Sequence, residues 1–135
     1  MSQANLETIH KFFEYYGKSD MAGIRQVLAE NVRWIFPGRN PMSGTRMGIP
    51  EVLGFFDRMG GIMGGSNVKV ENLITGANDH YVVESQHIWT NREDGVNLDH
   101  YWCVLWRFEN GRIVEGRHFA ADQYAVDEFF NQVMS

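Results

Sequence analysis

A lone cysteine, no clustered cations and no long apolar run are what this 135-residue chain shows first by their scarcity. Cys103 has no partner for an internal disulfide, which suits a reducing cytoplasm, and within an apolar strand-like stretch it reads as buried filler rather than a nucleophile. Lys18, Arg25, Arg33 and Arg39 stand isolated and the formal net charge is −5, so no nucleic-acid partner is expected. No stretch of about eighteen apolar residues is available to cross a membrane. The start, Met1-Ser2-Gln3-Ala4-Asn5-Leu6-Glu7, lacks the basic and apolar regions of an export signal, and the expected location is cytoplasmic. No Gly-x-Ser-x-Gly elbow is present, and no Gly-Lys-Ser/Thr follows the glycine-rich run from Gly60 to Gly65, so that run is not a phosphate-binding loop. No repeat or linker divides the chain, which reads as one domain over residues 1–135.

Aromatic residues are abundant instead: nine Phe, five Tyr and four Trp make up 13% of the chain. Most must fill a core, and so many in a small protein also suit a cavity for a flat apolar ligand. Leu6, Ile9, Phe12, Phe13 and Tyr16 recur at helical spacing up to Gly17. Asp20 is placed to cap a second helix with Ile24, Val27 and Leu28 on its apolar face. Val32, Trp34 and Phe36 then alternate as a strand that Pro37-Gly38 stops. Pro50 opens a third helix, buried through Val52, Leu53, Phe55, Phe56 and Met59. Gly60 to Ser66 reads as a mobile connector, or as a lid over a pocket. Four strands follow, Val68–Thr75, Tyr81–Thr90, Asn97–Phe108 and Arg112–Ala120, whose short turns imply an antiparallel meander. Val126, Phe129, Phe130 and Val133 make the stripe of a last helix.

Three runs in this order carry a family resemblance: Asp20-Met21-Ala22-Gly23-Ile24 through Val32-Arg33-Trp34 to Phe36-Pro37-Gly38; Ser43-Gly44-Thr45-Arg46-Met47-Gly48 with Phe55-Phe56; and Trp106-Arg107-Phe108-Glu109-Asn110-Gly111-Arg112-Ile113-Val114-Glu115. Together they resemble the SnoaL-like and ketosteroid-isomerase-like branch of the nuclear transport factor 2-like superfamily. The resemblance implies an α+β, cystatin-like cone in which a curved antiparallel sheet wraps the helices around a deep apolar pocket. It also implies a homodimer through the sheet. It names no reaction, since isomerases, cyclases, dehydratases, epoxide hydrolases and non-catalytic binders share the fold.

Ketosteroid isomerase uses a carboxylate base with a Tyr and a protonated Asp as oxyanion donors. The corresponding positions here are Phe36, Phe12 and Val104, all apolar, which argues against that mechanism. SnoaL-like cyclases place an acid/base Asp on the strand after the Gly-Arg-Ile turn, and the resemblance puts His118 there, a residue suited to proton transfer near neutrality. A turn centred on Glu93-Asp94-Gly95 would put Ser85, His87 and Trp89 on one face with His100, Trp102 and Val104. A three-residue loop at Glu109-Asn110-Gly111 would bring His118 to that face opposite Trp102, whereas a two-residue Asn110-Gly111 turn would send it outward. Asp122 either orients a pocket histidine or caps the last helix, and Tyr16 either packs in the core or offers its phenol to the pocket. Three histidines suit zinc, yet metal-ligand spacing and a nearby carboxylate are missing, so no metal and no cofactor is expected.

Two readings stay open from the sequence. In the first, Phe12, Tyr16, Trp34, Phe36, His87, Trp89, Trp102 and Val104 hold a small apolar or aromatic metabolite, and His118 moves a proton with His100 or Asp122 orienting it. In the second, the chain is a non-catalytic ligand-binding or dimerisation module.

Overall fold

The computed structural model describes residues 2–64 and 68–135. Helix α1 spans Ser2–Gly17 and α2 spans Met21–Val27, the latter capped by the Asp20 carboxylate, which accepts from the Gly23 amide at 2.9 Å. Strand β1 runs from Leu28 to Phe36, so Leu28 begins a strand rather than completing the face of α2. It is fully buried, and an apolar residue at an element boundary satisfies either period.

A short strand, β2 (Gly44–Met47), pairs antiparallel with β1 and has no counterpart in the hydrophobic pattern. None of its four residues is buried, so no alternation marks it. Helix α3 spans Ile49–Met63, with Pro50 in its first turn. It continues through Gly60-Gly61-Ile62-Met63, a stretch expected to be loop. Met59 and Met63, one turn apart, are both buried, and that packing outweighs the glycines' cost to the helix. Gly64 ends it with φ 101°. Residues 65 and 66 of the anticipated lid lie outside the described residues.

Four strands follow: β3 (Lys69–Ala77), β4 (Tyr81–Trp89), β5 (Asp99–Glu109) and β6 (Arg112–Ala120), then α4 (Gln123–Val133). The sheet order is β2-β1-β6-β5-β4-β3. The meander is antiparallel as expected, but β1 joins β6 in parallel, because β2, α3 and the first three strands of the meander intervene and no hairpin links the two. The helices cover one face. Phe12 of α1 meets Trp106 of β5 at 4.8 Å between ring centroids, and Phe56 of α3 meets Trp34 of β1 at the same separation. The curved six-stranded sheet and its helices form the α+β cone expected from the sequence.

Register decides which side chains face the helices. Across β4 and β5, Glu84 lies opposite Val104, Gln86 opposite Trp102 and Ile88 opposite His100. Even residues therefore pair with even ones. The connection is longer than a tight turn and is centred on Asp94, held by Asp94 and Asn97 side chains that accept from the Val96 and Arg92 amides. Between β5 and β6 the turn has only two residues, Asn110 and Gly111, with φ 52° and 76°. That turn alone would send His118 outward. A bulge intervenes, since Phe108 pairs with Ile113 but Arg107 pairs with Glu115, leaving Val114 extra. The extra residue restores His118 to the helix-covered face, opposite Val104 rather than Trp102.

Candidate functional site

Between the sheet and helices α1 and α3 lies a cavity of about 880 Å³. Its wall includes Phe12, Tyr16, Trp34, Trp102, Val104 and His118 from the expected set, together with Phe55, Phe56, Met59 and Met63 of α3. Trp34 lies flat enough over the sheet only because Gly116, its neighbour on β6, has no side chain.

His118 lines this cavity, with its ring centroid 5.0 Å from those of Phe36 and Trp102 and 5.5 Å from that of Trp34. All three contacts are edge-on. Phe36 is thus a buried support behind the imidazole rather than part of the cavity wall. His118 Nδ1 and Trp34 Nε1 are buried without a hydrogen-bond partner among the described residues. Enclosure without a counter-charge pushes the imidazole pKa down to about 3, so His118 is neutral across the physiological range. Tyr16 donates a long bond, 3.4 Å, to the Phe56 carbonyl. Burial and the Asp57 carboxylate push its phenol up to about 12, which keeps it a hydrogen-bond donor.

Four expected site residues lie elsewhere. His87 and Trp89 face the other side of the sheet, because the β4–β5 connection has the opposite parity from the expected turn. His87 binds Asp99 at 2.6 Å and stacks on Tyr101 there. His100 is buried on the helix-covered side, but beyond the cavity, where its Nε2 accepts from the Asp122 backbone amide at 3.2 Å. Burial lowers its pKa first, against the opposing pull of Asp122 and Asp99. Asp122 caps α4 by accepting from the Tyr124 and Ala125 amides and makes no bond to His118. Among the described residues, His118 is therefore oriented by packing alone. His87, His100 and His118 do not converge on one point.

The residues that sequence reasoning missed are Glu84 and Gln86. Both border the cavity, and the Glu84 carboxylate has no solvent-accessible surface at all. Its Oε1 accepts from Trp106 Nε1 and Gln86 Nε2, each at 3.0 Å, and its Oε2 accepts from Asn72 Nδ2 at 3.2 Å. Gln86 Oε1 accepts in turn from Trp102 Nε1 at 2.7 Å. Burial lifts the carboxyl to about 7 against these bonds, which favour its ionised form. A sequence signal for this network did exist. Trp102 and Trp106 share a buried face, and each indole N–H there requires an acceptor.

Comparison with known proteins agrees with the fold. The SnoaL-like domain model matches residues 9–116, ending just before His118. An uncharacterized protein of Mycobacterium tuberculosis is 25% identical over 128 residues, covering 94% of this chain and 96% of that one. Bal32a, from a soil-derived mobile gene cassette, is 31% identical with a TM-score of 0.87, over 96% of this chain and 98% of that one. A Xanthomonas campestris protein with a cystatin-like fold is 25% identical with a TM-score of 0.82, over 97% of this chain and 99% of that one. With the family model spanning most of its length and the cone built around an aromatic cavity, this chain belongs to the SnoaL-like domain family.

Proposed function

We propose that the cavity binds a small, flat, largely apolar or aromatic molecule and acts on it by proton transfer, with His118 touching the reacting atoms. The observation that carries this reading is a neutral imidazole that lines the cavity, without a polar partner among the described residues and packed against the Trp34, Phe36 and Trp102 rings. Buried polar atoms left unpaired are uncommon and costly, about 1–3 kcal/mol each, and tend to mark sites where a ligand completes the bonding. Entering the reaction neutral, His118 is equipped to donate a hydrogen bond to a carbonyl that gains negative charge, or to carry a proton between neighbouring atoms. Isomerisation, aldol-type cyclisation and dehydration each include such a transfer: the proton taken from an acidic C–H is returned to another carbon, to the new hydroxyl oxygen, or to the hydroxyl that leaves as water.

Native mass spectrometry of freshly purified protein identifies a retained ligand and its chemical class. With that molecule or its analogue as substrate, His118→Phe is expected to lower turnover by roughly 10²–10⁴-fold while leaving binding nearly intact. Full turnover by this variant would exclude the mechanism. A specific observation favours a second reading, a non-catalytic binder: the three isomerase positions are the apolar Phe12, Phe36 and Val104. In that case Trp102→Ala costs affinity and His118→Phe changes nothing.

The partner proposed for the opposite face of the sheet is a second copy of the chain. Tyr101 (53% exposed), Phe119 (50%) and Val83 (42%) cluster there on neighbouring strands around Cys103 and Leu105. Contiguous apolar surface of this kind is a feature of protein interfaces. Sedimentation should show a dimer that Tyr101→Glu combined with Phe119→Glu converts to a folded monomer. A wild-type monomer at high concentration would refute it.

A further inference from the structure

We propose that Glu84 is the positioning residue of the cavity: its ionised carboxylate sets the orientation of Trp106 directly and of Trp102 through Gln86, and so fixes the surface on which a ligand lies. The functional part of this inference rests on the ligand-pocket reading above.

The bonding directions leave little freedom. An indole N–H only donates, so Trp102 requires the Gln86 oxygen, which turns the Gln86 amide NH₂ toward Glu84. Trp106 likewise only donates, and Asn72, whose oxygen already accepts from Thr75 Oγ1, presents its NH₂. All three neighbours of the carboxylate are therefore donors. A protonated Glu84 would point an O–H at a group with no free acceptor, and one of these bonds would have to break. The ionised form orders the two indoles, and the protonated form releases at least one donor.

Among the described residues no cation pairs with the carboxylate. The titratable and charged groups that border the cavity with Glu84 are Tyr16 of α1, Lys18 just after it, Asp57 of α3 and His118 of β6; His100 of β5 shares the face of the sheet beyond them, and β3 supplies the uncharged Asn72. None forms an ion pair with Glu84 among the described residues, and Lys18 is engaged with Glu14 at 3.8 Å. His118 and Tyr16 keep their neutral forms throughout the range in which Glu84 titrates. His118 shares a row with Glu84 across the sheet, one residue on either side of Val104. The residue that touches the ligand and the residue that orients the tryptophans thus flank the same patch of wall.

The test needs no ligand. In ¹H–¹⁵N spectra recorded from about pH 5 to about pH 9, the Trp102 and Trp106 indole cross-peaks should shift together with one midpoint near neutrality. Trp89 lies on the opposite face of the sheet beside the His87 ring, outside this network, and its indole peak serves as an internal control that Glu84→Gln should leave unchanged. In Glu84→Gln the shared transition should disappear. In Gln86→Met, which cuts the relay but leaves Glu84, Trp106 should still titrate and Trp102 should not. Stationary Trp102 and Trp106 peaks in the wild type, or the same transition in Glu84→Gln, would overturn the assignment. A neutral aromatic probe, 2-naphthol, adds the functional readout. It should bind more weakly near pH 6 than near pH 8 in the wild type and equally at both in Glu84→Gln. Failure of 2-naphthol to bind either protein would count against the ligand pocket, while the indole spectra decide the role of Glu84 separately.

Discussion

Replacing Gly116 by alanine is expected to destabilise the protein by about 3 kcal/mol, lowering Tm by roughly 10 °C. The added methyl would fall inside contact distance of three atoms of the Trp34 six-membered ring. Moving the ring aside would break its own packing. It is packed edge-to-face on Phe56 at 4.8 Å and Trp106 at 5.0 Å, with Phe55 and His118 completing its surroundings. In a close-packed aromatic cluster even one extra carbon displaces a side chain from its rotamer. The smaller Trp34→Leu side chain should recover part of the loss when combined with Gly116→Ala, though either change alone is destabilising. Thermal unfolding of the two single variants and the double variant measures this coupling. A Gly116→Ala protein that melts within about 2 °C of the wild type would show that Trp34 does not lie against β6.

The second large effect is a pair of opposing pH dependences hidden in the wild type. Glu84 has a folded pKa raised from 4.5 to about 7, so the folded state binds its proton more tightly than the unfolded state. Its contribution to stability is fully present below pH 4.5 and is lost as pH rises through about 7. His118 is the reverse. Its pKa falls from 6.5 to about 3 on folding, so stability is full above pH 6.5 and declines as pH falls toward 3. Between pH 4.5 and 6.5 the two slopes have opposite sign and nearly cancel. Each amounts to about 1.4 kcal/mol per pH unit where it acts alone, and on the order of 3 kcal/mol in total for Glu84. Glu84→Gln should therefore lose stability on acidification from pH 6.5 to pH 4.5, whereas His118→Phe should gain it over the same interval. Denaturant unfolding at several pH values reads both slopes. If both variants keep the shallow wild-type profile, neither residue is buried as described.

Local pattern carried the secondary structure a long way. Helical spacing from Leu6 to Tyr16 and alternation from Tyr81 to Ala120 depend only on neighbours a few residues apart, and those elements stand close to where the pattern puts them. Strand β2 and the last turn of α3 were illegible for opposite reasons. The first buries nothing, and the second is held by Met63 against its own glycines.

The site divides in the same way. That aromatic residues would wall a pocket, and that His118 would stand on the strand after the Gly111 turn, followed from the sequence and its resemblance. Which residues meet in that pocket did not. A strand's two faces exchange with every one-residue change in register, so the facing of His118 hangs on the single extra residue at Val114, and that of His87 on the parity of the loop around Asp94. Glu84 is the sharpest case. A glutamate within a strand reads as solvent-facing until three donors from β3, β4 and β5 are brought around it. The sequence by itself determined most of the elements, the family and the aromatic character of the cavity, because these are local or additive properties. Only the tertiary structure decided the register, the burial of Glu84 and the isolation of His118, because each depends on partners that the chain brings together from distant positions.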